Sequence, residues 1–266
     1  MELEANIDEA VALTLRPMRT SEGFSGKTAL VTGAAGGMGL EASRRLGAED
    51  VRVYGVDTRA PDAGGTPAGA VFETGDAGDE GLMSALAARA VEETGRLDYL
   101  VNAAGVLWLD RDTSFASVDP EVWDEVLRNN LTAAMIAARV VVPHMRRGGA
   151  MVHVSSTQCY RGDPRPQDAY QASKAGLLAL SKSIAIQFAA DGVRSNVVVP
   201  GPTRSPMQRR WEANPAAEQS TAASIPLGRV GTTGDLAEAI LFLLSDRASW
   251  ITGTELIVDG GRLARP

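Results

Sequence analysis

Seven short stretches of this chain are apolar almost without interruption: TALVTG at 28–33, VRVYGVD at 51–57, AVFETGD at 70–76, LDYLVNAAG at 97–105, AMVHVSS at 150–156, VRSNVVVPG at 193–201 and ELIVDGG at 255–261. A strand with one wet face alternates apolar and polar residues, whereas a strand covered on both faces does not. Between these runs lie segments of helical character: GGMGLEASRRLGA at 36–48, DEGLMSALAARAVEETG at 79–95, a long one from Asp119–Pro120 to 146, one over 168–190, and GDLAEAILFLLS at 234–245. Asp119 before Pro120 is a sound N-cap and first-turn pair. Buried strands alternating with helices predict an α/β fold, a doubly wound parallel sheet with helices on both faces. The Pro/Gly-rich stretch TRAPDAGGTPAG at 58–69 reads as irregular.

No linker interrupts the alternation, so residues 24–266 read as one domain and residues 1–23 as an N-terminal extension. Ile7, Val11 and Leu15 could line a short amphipathic helix in that extension; a frayed or partner-packed tail reads as well. The 266 residues suffice for a large core, and a net charge of −7 argues against nucleic acid or an anionic membrane as main partners. The one cysteine, Cys159, fits a reducing compartment. No apolar run approaches the roughly 18 residues of a membrane span, and MELEANIDEA lacks a signal-peptide core. The expectation is a cytoplasmic protein without a membrane partner.

The first strand runs into a glycine loop that opens the first helix, LVTGAAGGMGLEAS, in which Gly37, Gly39 and Ala42 match G-x-G-x-x-A. Such glycines let backbone approach a pyrophosphate, and the helix N-terminus offers it free N–H groups. A tight turn with close helix–strand packing would also use these glycines. No G-K-[ST] follows, which counts against a P-loop nucleotide hydrolase. Asp57 ends the second strand, where a carboxylate bonds ribose hydroxyls and repels a 2′-phosphate. This favours NAD over NADP; nearby Arg59 softens the preference, and a turn cap is the plainer role for Asp57.

The stretch DAYQASKAG at 168–176 sets Tyr170 one helical turn before Lys174, in a chain with three lysines and four tyrosines. A nearby ammonium stabilises phenolate and lowers a phenol pKa of about 10, making a general acid/base. A surface pair at the same spacing would look alike, so context decides.

The matching residues Thr32-Gly33, Gly37-Met38-Gly39, Asp57, Asp76, Asn102-Ala103-Ala104-Gly105, Asn130, Ser155-Ser156, Tyr170, Lys174 and Pro200-Gly201 come in one order over residues 26 to about 260. In this the chain resembles the short-chain dehydrogenase/reductase superfamily, in its single-domain branch. The resemblance implies a single Rossmann-type domain and an NAD-dependent oxidoreductase that interconverts a secondary alcohol and a ketone. Tyr170 would exchange the proton, Lys174 would bond the nicotinamide ribose and depress the tyrosine pKa, Ser156 would hold the substrate oxygen, and Asn130 would hold a proton-relay water chain. Gly33, Gly37, Met38 and Gly39 would cradle the cofactor. Asp76, with Ala77, would approach the adenine, and Asn102, Ala103 and Gly105 the adenosine side. Pro200, Gly201, Thr203 and Ser205 would border the nicotinamide.

Ser205 stands where the family more often has threonine, and Val101 where it often has asparagine. The segment from Ser156 to Tyr170 is one residue longer than commonest, and Ser155 rivals Ser156 for the serine role. Substrate would meet Leu107, Trp108 and Leu109, then Gln158, Cys159 and Tyr160, and Met207 and Trp211 of a lid-like stretch at 203–224. Arg204, Arg209 and Arg210 in that stretch read as a solvated lid face, with attraction of a carboxylate or phosphate the sharper alternative. His144 and His153 have no metal-ligand spacing with Cys159, so no catalytic metal is expected. Long helices with small residues such as Ala133, Ala134, Ala175, Gly176 and Ala179 resemble family subunit contacts and imply a homotetramer, with a dimer the alternative. Two rivals remain: an NADPH-dependent 3-oxoacyl thioester reductase, and a non-catalytic NAD-binding sensor.

Overall fold

The structure is a computed structural model that describes residues 23–61, 65–163 and 165–265. The expected helix around Ile7, Val11 and Leu15 lies outside these residues. Seven strands form one parallel sheet: β1 (Thr28–Thr32), β2 (Arg52–Asp57), β3 (Val71–Thr74), β4 (Leu97–Asn102), β5 (Met145–Val154), β6 (Arg194–Pro200) and β9 (Glu255–Val258). Their spatial order is β3-β2-β1-β4-β5-β6-β9, reversing direction beside β1. This is the Rossmann-type sheet expected from the apolar runs.

The two faces explain the lack of alternation. Leu30, Tyr54, Leu100 and Met151 point to one face, where they pack with Met83, Leu86, Ile136 and Ile184. Val31, Val53, Tyr99 and Val152 point to the other, against Leu46, Leu236 and Ile240. The first face is covered by helices α2 (Glu80–Thr94), α4 (Ala133–Val141) and α5 (Asp168–Gln187), the second by α1 (Gly37–Ala48) and α8 (Thr233–Leu244). Phe24 is buried at the start of the sheet, edge-on to Tyr99 with ring centroids 5.7 Å apart.

The predicted helix from Asp119 to 146 is not continuous. Helix α3 (Pro120–Leu127) passes into a π turn at Arg128–Thr132 before α4, and a 3-10 turn at Val142–His144 stops the run. Within the π turn Asn129 Nδ2 donates to Glu125 O at 2.8 Å, while the Asn130 amide leaves the helix for other partners. Such bulges recur at functional sites because they re-aim single side chains. Pro143 then opens the way to β5, which begins five residues earlier than expected, at Met145. The stretch after β6 holds elements that apolar periodicity does not mark: β7 (Thr203–Arg204) paired with β8 (Gly231–Thr232), and two short helices, α6 (Arg210–Ala213) and α7 (Pro215–Ala223).

Among the described residues no helix is long and apolar enough to cross a membrane. Ala133 and Ala134 are packed inside their own chain, and a side chain on Gly176 would meet Leu131 at 2.6 Å. Ala133, Ala134 and Gly176 thus serve packing within the subunit, while Ala179 remains exposed.

Candidate active site

The carboxyl ends of the parallel strands converge on two cavities. The first, of about 510 Å³, lies over the switch in strand order and is lined by Gly33, Gly37, Met38, Asp57, Asp76 and Ala77 on one side and Ala103, Gly105 and Trp108 on the other. The second, of about 530 Å³, is lined by Ser156, Gln158, Tyr170, Pro200, Gly201, Thr203 and Trp211. The two share Met38, Leu107, Ser205 and Met207, so they adjoin there.

The first cavity is shaped by what its glycines leave out. Gly33 has φ +69°, and a side chain on it would stand 2.8 Å from the Ala103 and Ala104 backbone. Gly37 has φ +55° and opens α1, whose N-cap, Gly36, offers no capping side chain. The first N–H groups of α1 thus lack a side-chain cap beside the cavity, which suits a pyrophosphate. Asp57 sits at the end of β2, half-buried, accepting from Ala35 N at 3.1 Å and Arg59 N at 3.3 Å. Asp76 is exposed, and one of its oxygens accepts from Gly78 N at 2.8 Å. These residues fit a dinucleotide.

Gly39 and Asn102, predicted to touch the cofactor, do not line this cavity. Gly39 packs against Gly33: a side chain there would collide with the Gly33 carbonyl. Asn102 is buried behind the cleft, where its amide donates to Ala134 O and to His153 Nδ1, both at 3.1 Å. Since that amide nitrogen is a donor, His153 accepts through Nδ1 and offers Nε2–H to Ser195 Oγ at 3.2 Å. His153 is therefore a neutral core histidine, and burial holds its pKa down to about 4. Among the described residues no group of His, Cys, Asp and Glu could hold a metal.

Helix α5 positions the tyrosine and the lysine. Asp112, fully buried in the loop after β4, accepts from Ala169 N at 3.0 Å and Tyr170 N at 2.8 Å, capping the helix from 57 residues upstream. Its charge also opposes the helix dipole. Lys174 donates from Nζ to Val154 O at 2.9 Å, with Nζ 5.7 Å from the Tyr170 ring centroid. A side chain on Gly105 would come within 3.2 Å of that ammonium, so Gly105 separates it from the first cavity. Asn130 Oδ1 accepts from Val106 N at 2.7 Å, and its Nδ2 donates to Val106 O and Ser173 Oγ, both at 3.0 Å. Asn130 thereby clamps the loop after β4 to α5; it lines neither cavity, whereas Asn129 lines the first.

Burial dominates the titration of this group. The Tyr170 phenol is pushed up to about 12 by burial, with a hydrogen bond from Ser156 pulling the other way. The Lys174 ammonium is brought down to about 8 by the same burial. The expected depression of the tyrosine is thus outweighed by desolvation. Between the two serines, Ser155 Oγ donates to Lys174 O at 2.7 Å, whereas Ser156 Oγ accepts from Gln158 N at 3.2 Å and interacts with the phenol.

Gln158, Met207 and Trp211 line the second cavity, Trp211 almost fully buried, while Trp108 lines only the first. Tyr160 does not join them: its hydroxyl is turned to the Glu255 carboxylate, and it lines neither cavity. Cys159 is half-buried and lines neither cavity. Sequence reasoning missed Asp112, Gln167 and Arg262. The first caps a distant helix and the other two reach the second cavity only through the fold, so no local spacing marks them.

This sheet and site define a chain that belongs to the short-chain dehydrogenase/reductase superfamily, as an NAD(P)-dependent dehydrogenase acting on CH–OH groups. A family described as enoyl-(acyl carrier protein) reductase matches residues 33–262. The chain is 35% identical to the 3-oxoacyl-[acyl-carrier-protein] reductase of Thermotoga maritima, covering 90% of this chain and 98% of that protein. It is 36% identical to the 2,3-dihydro-2,3-dihydroxybenzoate dehydrogenase of Escherichia coli, covering 90% and 97%. The ligand-free aldohexose dehydrogenase of Thermoplasma acidophilum superposes with a TM-score of 0.84 at 28% identity, covering 91% of this chain and 96% of that one.

Proposed function

We propose that the protein oxidises a secondary alcohol to a ketone, or the reverse, with NAD, using Tyr170 as proton donor and acceptor. The observation that carries this reading is that Tyr170 and Ser156 line a cavity adjoining the dinucleotide cleft at Met38, Leu107, Ser205 and Met207. Gly33, Gly37, Met38, Asp57, Asp76, Ala77, Ala103 and Gly105 would hold the adenosine and pyrophosphate; Pro200, Gly201, Thr203 and Ser205 would border the nicotinamide. The cofactor supplies the hydride chemistry when bound. Ser156 orients the substrate oxygen toward the phenol. Tyr170 holds a proton at neutral pH, ready for a carbonyl oxygen, and takes one back from an alcohol. Lys174 fixes a positive charge beside the phenol, and Asn130 keeps the loop after β4 seated on α5. The preference for NAD rests on Asp57, whose carboxylate would repel a 2′-phosphate.

Arg59 and Arg209 line the same cleft and support a second reading, an NADPH-dependent reductase of 3-oxoacyl thioesters; the Thermotoga maritima relative is named as a 3-oxoacyl-[acyl-carrier-protein] reductase. The sensor reading has no support of this kind, since it leaves the Ser156–Tyr170 arrangement without use. Nicotinamide absorbance with NAD⁺ and with NADP⁺, against a panel of secondary alcohols, decides between the two enzymes. Faster turnover with NAD⁺ is the expected result; turnover mainly with NADP⁺ would transfer the assignment to the thioester reductase.

Residues 24–266 make up the catalytic domain and residues 1–23 an extension in this proposal, with the protein in the cytoplasm as a homotetramer. The exposed side chains of Ile186 at the end of α5 and Trp250 before β9 supply apolar surface for subunit contacts.

A further inference from the structure

The three arginines that stand out in the lid-like stretch have different fates. Arg204 is neutralised by Glu218, its Nη2 and Nε donating to one carboxylate oxygen at 2.6 and 3.0 Å. Arg209 faces the dinucleotide cleft. Arg210, which opens α6, lines the second cavity with Tyr170 and Ser156. There it is joined by Arg165, from the loop before α5, and Arg262, from the segment after β9. Three elements far apart in sequence thus bring guanidinium groups to one cavity of a chain whose net charge is −7.

The counter-charge inside this cavity is insufficient. Asp163 is the one carboxylate among its described lining residues. Its oxygens accept from Gln158 Nε2 and from Arg165 N, both at 3.0 Å, and an Arg161 nitrogen lies 3.8 Å away. The Arg165 and Arg262 side chains make no hydrogen bond or ion pair among the described residues, and Arg210 spends only Nε, on the neutral oxygen of Gln208 at 2.9 Å. Burial and neighbouring cations hold Arg210 and Arg262 below the usual guanidinium value, while Asp163 acts in the opposite sense on both. Grouping cations without partners is unfavourable, and a bound anion relieves it.

A second feature of the cavity is independent of charge. Gln167, at the N-cap of α5, is only 5% exposed and lines the cavity, yet among the described residues its Oε1 has no hydrogen-bond partner. A buried amide oxygen left unpaired is unfavourable, and a ligand hydroxyl reaching it would relieve that cost. An acidic group for the arginines and a hydroxyl for Gln167 describe one ligand.

We propose that the substrate is a hydroxy acid, or its oxo acid, whose carboxylate is bound by Arg210, Arg262 and Arg165 in the cavity that holds Tyr170. Planar guanidinium groups take carboxylates through paired hydrogen bonds, which fixes orientation as well as affinity. Arg210 and Arg262 are thus specificity-determining residues. The inference rests on the reading of Tyr170 as the proton-transfer group, because it places acid and alcohol in the same cavity.

The test has a binding arm and a kinetic arm, both on the full chain saturated with cofactor. In the binding arm, hexanoate and cyclohexanecarboxylate, and the primary amide of each, are titrated calorimetrically into the NADH complex. The acids are expected to bind at least about tenfold more tightly than the amides, and that margin should shrink in Arg210→Gln and Arg262→Gln. In the kinetic arm, 3-hydroxybutyrate and 4-hydroxycyclohexanecarboxylate are compared with their methyl esters. The acid-to-ester ratio of kcat/KM should fall about tenfold or more in either variant and recover in part with Arg262→Lys. Amides binding as well as acids, or no acid binding at millimolar concentration, would overturn the inference, as would an unchanged ratio in correctly folded variants. Failure of the dehydrogenase reading is seen separately, as turnover independent of Tyr170, and leaves the binding arm intact.

Discussion

At the residue scale, the titration of Tyr170 and Lys174 sets the direction in which pH acts. With the phenol pushed up to about 12, the protonated form prevails at neutral pH, and the form that accepts a proton from an alcohol grows as pH rises. Alcohol oxidation should therefore accelerate from pH 6 toward 8. The slope should break above about 8, as Lys174 loses the charge that supports phenolate. Carbonyl reduction should be flat over the same range and should not fall below neutrality. Initial rates in both directions across this range check it; oxidation independent of pH would contradict it. His153 gives a separate prediction for stability. Its pKa is about 4 folded against 6.5 unfolded, so the unfolded chain binds the extra proton between these values and stability falls as pH drops through that window. The loss should approach about 3 kcal/mol by pH 4. Urea midpoints at pH 7 and pH 5 should differ less in His153→Gln than in the native chain. Of the residues in these predictions, Tyr170 and Lys174 stood out in sequence by their one-turn spacing, and Ser156 came in only with the family resemblance. The core role of His153 was not legible there, because it depends on Asn102 and Ser195 from neighbouring strands.

At the element scale, helix α5 depends on a cap it does not encode. Gln167 stands at its N-cap without a capping bond, and Asp112 takes the free N–H groups of Ala169 and Tyr170 instead. Asp112→Ala should destabilise the fold by about 1–3 kcal/mol, because it leaves two buried donors unsatisfied. It should also lower kcat more than it weakens NADH binding, since Tyr170 follows the helix end. Urea unfolding and steady-state kinetics read the two effects; an Asp112→Ala protein with native kcat would contradict the positioning role. The π turn at Arg128–Thr132 was likewise hidden: apolar spacing carries straight through it, and only the Asn130 clamp on Val106 and Ser173 reveals its use.

At the scale of the whole molecule, the fold was the most legible part. Strands apolar at successive positions require two covered faces, and both are covered here, by α2, α4 and α5 on one side and α1 and α8 on the other. Ala133 and Ala134, read as contact residues, are buried in their own subunit, while Ile186 and Trp250 stand exposed at 80% and 99%. Those two side chains should lie in subunit contacts of a tetramer. Replacing Trp250 with lysine should shift light-scattering mass toward smaller species; an unchanged mass would place the interface elsewhere.

In the proposed mechanism Tyr170 moves the substrate proton in a cavity next to a dinucleotide cleft that it does not build. The measurement that tests this most directly is turnover and NADH affinity in Tyr170→Phe, the first from nicotinamide absorbance with a substrate alcohol and the second from fluorescence titration. Loss of turnover by a factor of about 100 or more with nearly native NADH affinity is the predicted result. Turnover close to the native rate would contradict the assignment of Tyr170 and the mechanism built on it.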